Sequence, residues 1–156
     1  MSSPTSTTTT TAGSGRQVVT CHRISCHSAE LAVRELADYT LISAVGDIDA
    51  VNATDLADCA RAAAGRGTDL LLDLRHLKFF GIEGFRALEG IDGACGDAGV
   101  RWAMVTSPAV TRVLRVCDRD GALPAAEDLR TAHGLLHRRR APSLKLVAQA
   151  PQRAGQ

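Results

Sequence analysis

Five cysteines and five histidines hold most of the reactive chemistry of this chain. Cys21-His22 and Cys26-His27 share one short stretch, CHRISCH. Two thiolates with two imidazoles are a donor set that suits zinc. A zinc site of this kind is normally completed by a second knuckle further along, and none follows. We therefore assign no metal and no cofactor, and read these residues as a flexible or strand-entry segment. Cys59, Cys95 and Cys117 fall on the apolar stripes of helical patterns, where an unpaired cysteine behaves as a small buried hydrophobe. An odd thiol count at irregular spacing, without a secretory leader, speaks against a disulfide framework.

The usual catalytic signatures are missing: no GxSxG, no GxxxxGK[ST], no HExxH and no CxxC. A Cys/His nucleophile pair needs only to meet in space, which keeps a small thiol or hydrolytic enzyme as the last of three readings. Gly81-Ile82-Glu83-Gly84 opens a helix after an apolar run, a place where an anion can dock. Glu83 would set a negative charge against that anion. His133 lies on an apolar stripe and reads as a half-buried packing residue. The run His137-Arg138-Arg139-Arg140 closes a helix, where cations meet the favourable end of the dipole.

The elements that must carry these residues are set by length and pattern. One hundred and fifty-six residues, 45% of them hydrophobic, suffice for one domain and hardly for two. A net charge of +1 and 3% aromatic residues argue against nucleic-acid binding, which wants a basic excess and stacking platforms. No apolar run reaches the roughly 18 residues of a membrane span, so the expected setting is the cytoplasm. Ten of the first 15 residues are Ser or Thr, and residues 1–15 are expected to form a disordered leader. The folded domain is expected over 16–138, followed by a flexible tail at 139–156.

Within that domain 17–24 reads as an irregular first strand, and the apolar runs 30–36 and 40–46 suit a hairpin. Asn52 caps a helix whose stripe is Leu56, Cys59, Ala60 and Ala63. The run 69–74 barely alternates, as in a strand covered on both faces. A turn is expected at 75–80, then a helix with the stripe Ile82, Phe85, Leu88, Ile91 and Cys95, closed by Gly99. Val100–Val105 reads as a strand, and Ser107-Pro108 starts a helix with Val110, Val113, Leu114 and Cys117 inward. A short strand at 121–124 and a helix over 125–138 complete an α/β domain. It has a mixed sheet of about four to five strands and about four helices.

Three segments in order are similar to the STAS domain of bacterial anti-sigma factor antagonists. They are Gly46-Asp47-Ile48-Asp49, then DLRHLKFFGIEGFRAL from Asp73, then Gly99-Val100-Arg101-Trp102-Ala103-Met104-Val105-Thr106-Ser107-Pro108-Ala109-Val110. The family carries a G-E-L-D-like segment, a D-L-x-x-[VL]-x-F-[LM]-D-S-S-G segment and a segment ending S-P-x-V. The likeness covers about residues 30–136, and the Thr-rich leader resembles actinobacterial members. It implies a STAS-like fold and a binding protein that is not an enzyme. Its expected partner is an anti-sigma factor, a GHKL-type kinase or a relative. The oligomeric state stays open, a dimer included.

In that family the second serine of D-S-S-G is phosphorylated by the partner kinase. The unphosphorylated form binds the anti-sigma factor and frees the sigma factor. Here Gly81 stands at the aspartate, Ile82 at the first serine and Glu83 at the phosphoacceptor, and Gly84 alone is retained. The resemblance thus implies that serine phosphorylation is lost. Glu83 then serves as a helix N-terminal acid, as a partial mimic of phosphoserine, or as both. Asp49 matches the family's acidic residue near the partner surface, Asp47 stands where a glutamate is common, and Asp73 matches a strand aspartate. The expected docking residues are Asp47, Asp49, Asn52, Gly81, Ile82, Glu83 and Gly84, forming an acidic face for a basic partner. The second reading is a redox-responsive antagonist with Cys59, Cys95 and Cys117 as its candidate thiols.

Overall fold

A computed structural model of the chain describes residues 18–138. The expected leader at 1–15 and the tail from 139 onward lie outside the described residues. The first three strands, β1 (Val18–Cys26), β2 (Ala29–Leu36) and β3 (Tyr39–Ile48), form an antiparallel meander. In β2 the period-two pattern turns Ala29, Leu31 and Val33 into the core and leaves Glu30 and Arg34 in solvent. From β3 onward the chain alternates. Helix α1 (Ala53–Gly65) leads to β4 (Asp69–Phe80), α2 (Ile82–Ala98) to β5 (Trp102–Val105), and α3 (Pro108–Cys117) to β6 (Ala125–Ala126). These later strands are parallel, and helix α4 (Leu129–Arg138) ends the domain.

The sheet runs β1-β2-β3-β4-β5-β6, so order in space follows order in sequence. Its six strands exceed the four to five expected. Helices α1, α2 and α3 cover one face, where Leu56, Leu88, Ile91 and Val110 pack on Ile42, Leu70, Leu72 and Leu74. Helix α4 covers part of the other, with Ala132 and Leu136 against Leu71, Ala103 and Val105. This double cover explains the near-continuous apolar run of β4 from Leu70 to Leu74, which is buried throughout.

Three expectations need correction. Residues 75–80 are not a turn: β4 continues through them, pairing Val45 with His76 and Ile48 with Phe80 past two register shifts. Beyond Leu74 the second face of the strand has no helix over it, so Arg75, His76 and Lys78 lie in solvent and imitate a loop. The short strand lies at 125–126 and not at 121–124, and the last helix begins at Leu129. Its start is set by Asp128, whose carboxylate accepts from the Thr131 N–H at 2.7 Å and from the Thr131 hydroxyl at 3.1 Å. Finally, the irregular first strand runs on to Cys26: it spans Val18–Cys26 and pairs along β2 with a register shift between Val18 and Thr20.

The punctuation at Gly99 and at Ser107-Pro108 falls as expected. Gly99 adopts the left-handed conformation that closes α2, and Val100 N–H reaches back to the Cys95 carbonyl at 3.0 Å. The Ser107 hydroxyl accepts from Val110 N–H with Pro108 in the first turn of α3. Among the described residues no helix is long and apolar enough to cross a membrane.

Candidate functional site

Two loops meet at the C-terminal ends of β3 and β4, the edge at which open α/β sheets receive ligands and partners. The first leaves β3 through Gly46, whose φ of +103° is open to glycine. A Cβ there would lie 2.2 Å from the Ser28 carbonyl oxygen. The chain can therefore pass tightly under the β1–β2 turn, and Asp47 N–H donates to that same carbonyl at 3.0 Å.

Asn52 locks this arrangement from beneath. Its Nδ2 donates to the Cys26 carbonyl at 3.0 Å and to the Asp47 carbonyl at 2.9 Å, and its Oδ1 accepts from Asp49 N–H at 3.0 Å. It stands at the helix start, as its type suggested, but its side chain caps no helical N–H. It is also fully buried. Asn52 is therefore corrected from a docking residue to a positioning residue. Asp49 is half-exposed, with Oδ1 accepting from Val51 N–H at 2.8 Å, an Asx turn that fixes the loop crest. Asp47 is half-exposed beside it.

The second loop is tied to the first by Gly81 N–H, which donates to the Ile48 carbonyl at 2.9 Å. Gly81 then starts α2, with its carbonyl accepting from Gly84 N–H at 3.0 Å. Gly84 is buried, and a Cβ at that position would come within 2.6 Å of the Phe80 ring. Its retention is thus a packing requirement, because the first turn of α2 sits directly on Phe80. Gly84, expected among the docking residues, is buried beneath the loop surface.

Glu83 sits in the first turn of α2 with 38% of its side chain exposed. It lines a shallow groove between α1 and α2 with Ala50, Thr54, Arg61 and Arg86. Arg86 Nη1 is 3.3 Å from its Oε1. A surface pair of this exposure adds about 0.5 kcal/mol or less. Its effect on charge is larger, since Arg61 and Arg86 turn the expected acidic face into one of mixed sign.

Ile82 departs from its expected place on the buried stripe. It is 54% exposed at the start of α2, with Phe79 at 53% near the end of β4 and Val51 at 61% before α1. Phe79 and Val51 escaped the residue-by-residue reading. The available signal was two large apolar side chains in segments expected to be turns, where polar residues are the norm. The face therefore joins an apolar surface to carboxylates at Asp47, Asp49 and Glu83.

The thiols lie elsewhere. Burial pushes Cys59 and Cys95 up to about 11, with Asp55 and Asp58 adding to the first and Asp92 and Asp69 to the second. Cys26 is likewise pushed up to about 11 by burial and then by Asp55. Cys59 and Cys117 are half-buried where full burial was expected, and Cys95 is buried. The CHRISCH stretch runs along β1 into its turn, so Cys21 and His22 point to opposite faces and Cys26 enters the core. Among the described residues no group of three or more His, Cys, Asp or Glu side chains stands together as a metal site.

Asp73 is buried at the start of the uncovered part of β4. Burial raises its carboxyl, but hydrogen bonds from the Arg75 side chain and backbone outweigh this and hold it below the usual range. Both carboxylate oxygens meet the guanidinium at 2.9 Å. Asp73 is structural.

Comparison with known proteins places this geometry. The STAS domain family model matches residues 30–132. The chain is 33% identical over 122 residues to the osmosensory protein A of Mycobacterium tuberculosis, covering 71% of this chain and 75% of that protein. Among solved structures, an anti-sigma factor antagonist from Mycobacterium paratuberculosis superimposes with a TM-score of 0.64 at 23% identity. That match covers 70% of this chain and 95% of the other. The anti-sigma factor antagonist SpoIIAA in its unphosphorylated form superimposes with a TM-score of 0.53 at 11% identity, covering 78% and 99%. At these identities the two structural likenesses establish the fold.

Proposed function

The chain belongs to the STAS domain family, and we propose that it is a regulatory binding protein of the anti-sigma factor antagonist kind. It docks an anti-sigma factor, a GHKL-type kinase or a relative, through the loops at Asp47–Asp49 and Gly81–Gly84. The observation that carries this reading is Glu83. A half-exposed carboxylate stands in the first turn of α2, on the loop face, at the position where the family resemblance puts a phosphorylated serine. A carboxylate forms no stable phosphoserine equivalent, so the charge here is permanent.

That charge is −1, against about −1.5 to −2 for phosphoserine, and Arg86 partly offsets it. The docking energy on this reading comes chiefly from Val51, Phe79 and Ile82, which lose water when a partner covers them. Asp47 and Asp49 then steer a basic partner surface. Cys59 and Cys95 are poorly suited to a redox switch, because burial raises both thiols to about 11.

The test is calorimetric titration of the wild type and of Glu83→Ser against the anti-sigma factor that co-purifies with the chain. Glu83→Ser is expected to bind about tenfold more tightly, a difference of about 1.4 kcal/mol. Incubation of the wild type with that kinase and ATP is expected to leave residue 83 unmodified. Equal affinities would remove the mimicry, and a failure of either form to bind any anti-sigma factor would remove the docking reading itself.

A further inference from the structure

The parallel part of the sheet changes its cover between β5 and β6. The chain leaves β4 and β5 for α2 and α3 on one face, and leaves β6 for α4 on the other. Adjacent strands whose helices go to opposite faces open a crevice beyond their carboxyl ends, where open α/β sheets bind small molecules. The loops after β3 and β4 form no such crevice, because α1 and α2 lie on the same face. Strands β5 and β6 pair in parallel, and Thr106 N–H donates to the Ala126 carbonyl at 3.1 Å, which brings Thr106 beside Glu127.

A recess of about 430 Å³ occupies this crevice, lined by Thr106, Ser107, Thr111, Arg112, Arg115 and Glu127. Its charges are not used inside the protein. Arg23, Arg61, Arg66, Arg75, Arg86 and Arg101 each pair with a carboxylate, whereas Arg112, Arg115 and Glu127 take part in none of the ion pairs among the described residues. Arg112 and Arg115 are three residues apart on α3, which carries no acidic residue of its own, and so share one side of the helix. The Thr106 and Thr111 hydroxyls are 3.1 Å apart. Ser107, only 2% exposed, accepts from Val110 N–H, which leaves its own O–H to donate. The helix start adds little, because Pro108 has no N–H and Val110 N–H is taken. Recognition falls to the side chains.

We propose that this recess binds a free acidic amino acid, of the class of L-glutamate and L-aspartate. Two guanidiniums and one carboxylate are the complement of two carboxylates and one ammonium group. Arg112 and Arg115 each take a carboxylate through paired N–H···O bonds. Glu127 takes the ammonium group, and the hydroxyls of Thr106, Ser107 and Thr111 fill in between. A plain dicarboxylate would meet Glu127 with no cation to offer, and inorganic phosphate would do the same, so the carboxylate selects against both. The arginines and Glu127 are exposed, so water and salt screen their contacts and binding on the order of millimolar is expected.

The test is titration of the full chain with L-glutamate, followed by its amide NMR shifts, with glutarate and inorganic phosphate as comparison ligands at the same ionic strength. Saturable shifts are expected around residues 106–115 and 126–128, with L-glutamate binding about tenfold more tightly than glutarate. Arg112→Gln and Arg115→Gln change exposed side chains and are each expected to weaken L-glutamate binding by about tenfold. Glu127→Gln is expected to erase the preference over glutarate while leaving the shifts of the rest of the domain in place. No saturable binding of L-glutamate by the wild type would overturn the proposal. So would binding that both arginine variants retain. Glutarate or phosphate binding as tightly as L-glutamate would overturn it too, since the recess would then be a plain anion site.

Discussion

Asn52 reaches three backbone groups from two different turns, and no other residue type offers a donor pair and an acceptor at that length with that shape. Replacing it with alanine leaves the buried Cys26 carbonyl without this donor and takes a partner from the Asp49 N–H and from the Asp47 carbonyl, which keeps Ser28 Oγ at 3.3 Å. Urea unfolding of Asn52→Ala is expected to show a loss of about 2–4 kcal/mol. Partner affinity is expected to fall too, although the residue touches no partner. Its place at the helix start was legible from its type. Its burial was not, because the groups that it satisfies lie 26 and 5 residues away in the chain. Ile82 shows the opposite case. Helical spacing assigned it to the buried stripe, yet it occupies the first position of α2, ahead of the point where that stripe meets the sheet.

At the scale of elements, β3 is where the sheet changes direction. It is antiparallel to β2 and parallel to β4, so it carries the change from meander to alternating strand and helix. Near its start Thr40 is wholly buried, and its hydroxyl has no partner among the described residues. A methyl in place of that hydroxyl keeps the shape and removes an unsatisfied group. Thr40→Val is therefore expected to leave stability unchanged or to raise it by about 1 kcal/mol, read from the melting midpoint. The helices were legible wherever caps were written in residue types, as at Ser107-Pro108 and Gly99. Strand β4 beyond Leu74 was not, since polarity there records the end of the α4 cover and not the end of the strand. The start of α4 was missed because apolar spacing extends back across Ala125 and Ala126, which form β6 instead.

The molecule as a whole is two-sided: three helices against one face of the sheet, one helix against part of the other, and the proposed docking loops along one rim. Its thiols follow that plan. With Cys26, Cys59 and Cys95 pushed up to about 11, each is thiolate on the order of one part in 3,000 at pH 7.5. Titration of the native protein with a chromogenic disulfide at that pH is expected to find no more than two reactive thiols per chain, and all five in guanidinium. The rate at the other three should climb about tenfold per pH unit toward 11. Three or more fast thiols in the native protein would return the cysteine-based switch to consideration.

Because each strand lies beside the one that precedes it in the chain, a polypeptide leaving the ribosome finds the neighbour of every new strand already made. The meander can form first from contacts between near residues, and each later helix-and-strand unit then adds to a finished edge. Growth would proceed in one direction, from β1 toward β6, with each strand from β2 onward meeting one neighbour already synthesised.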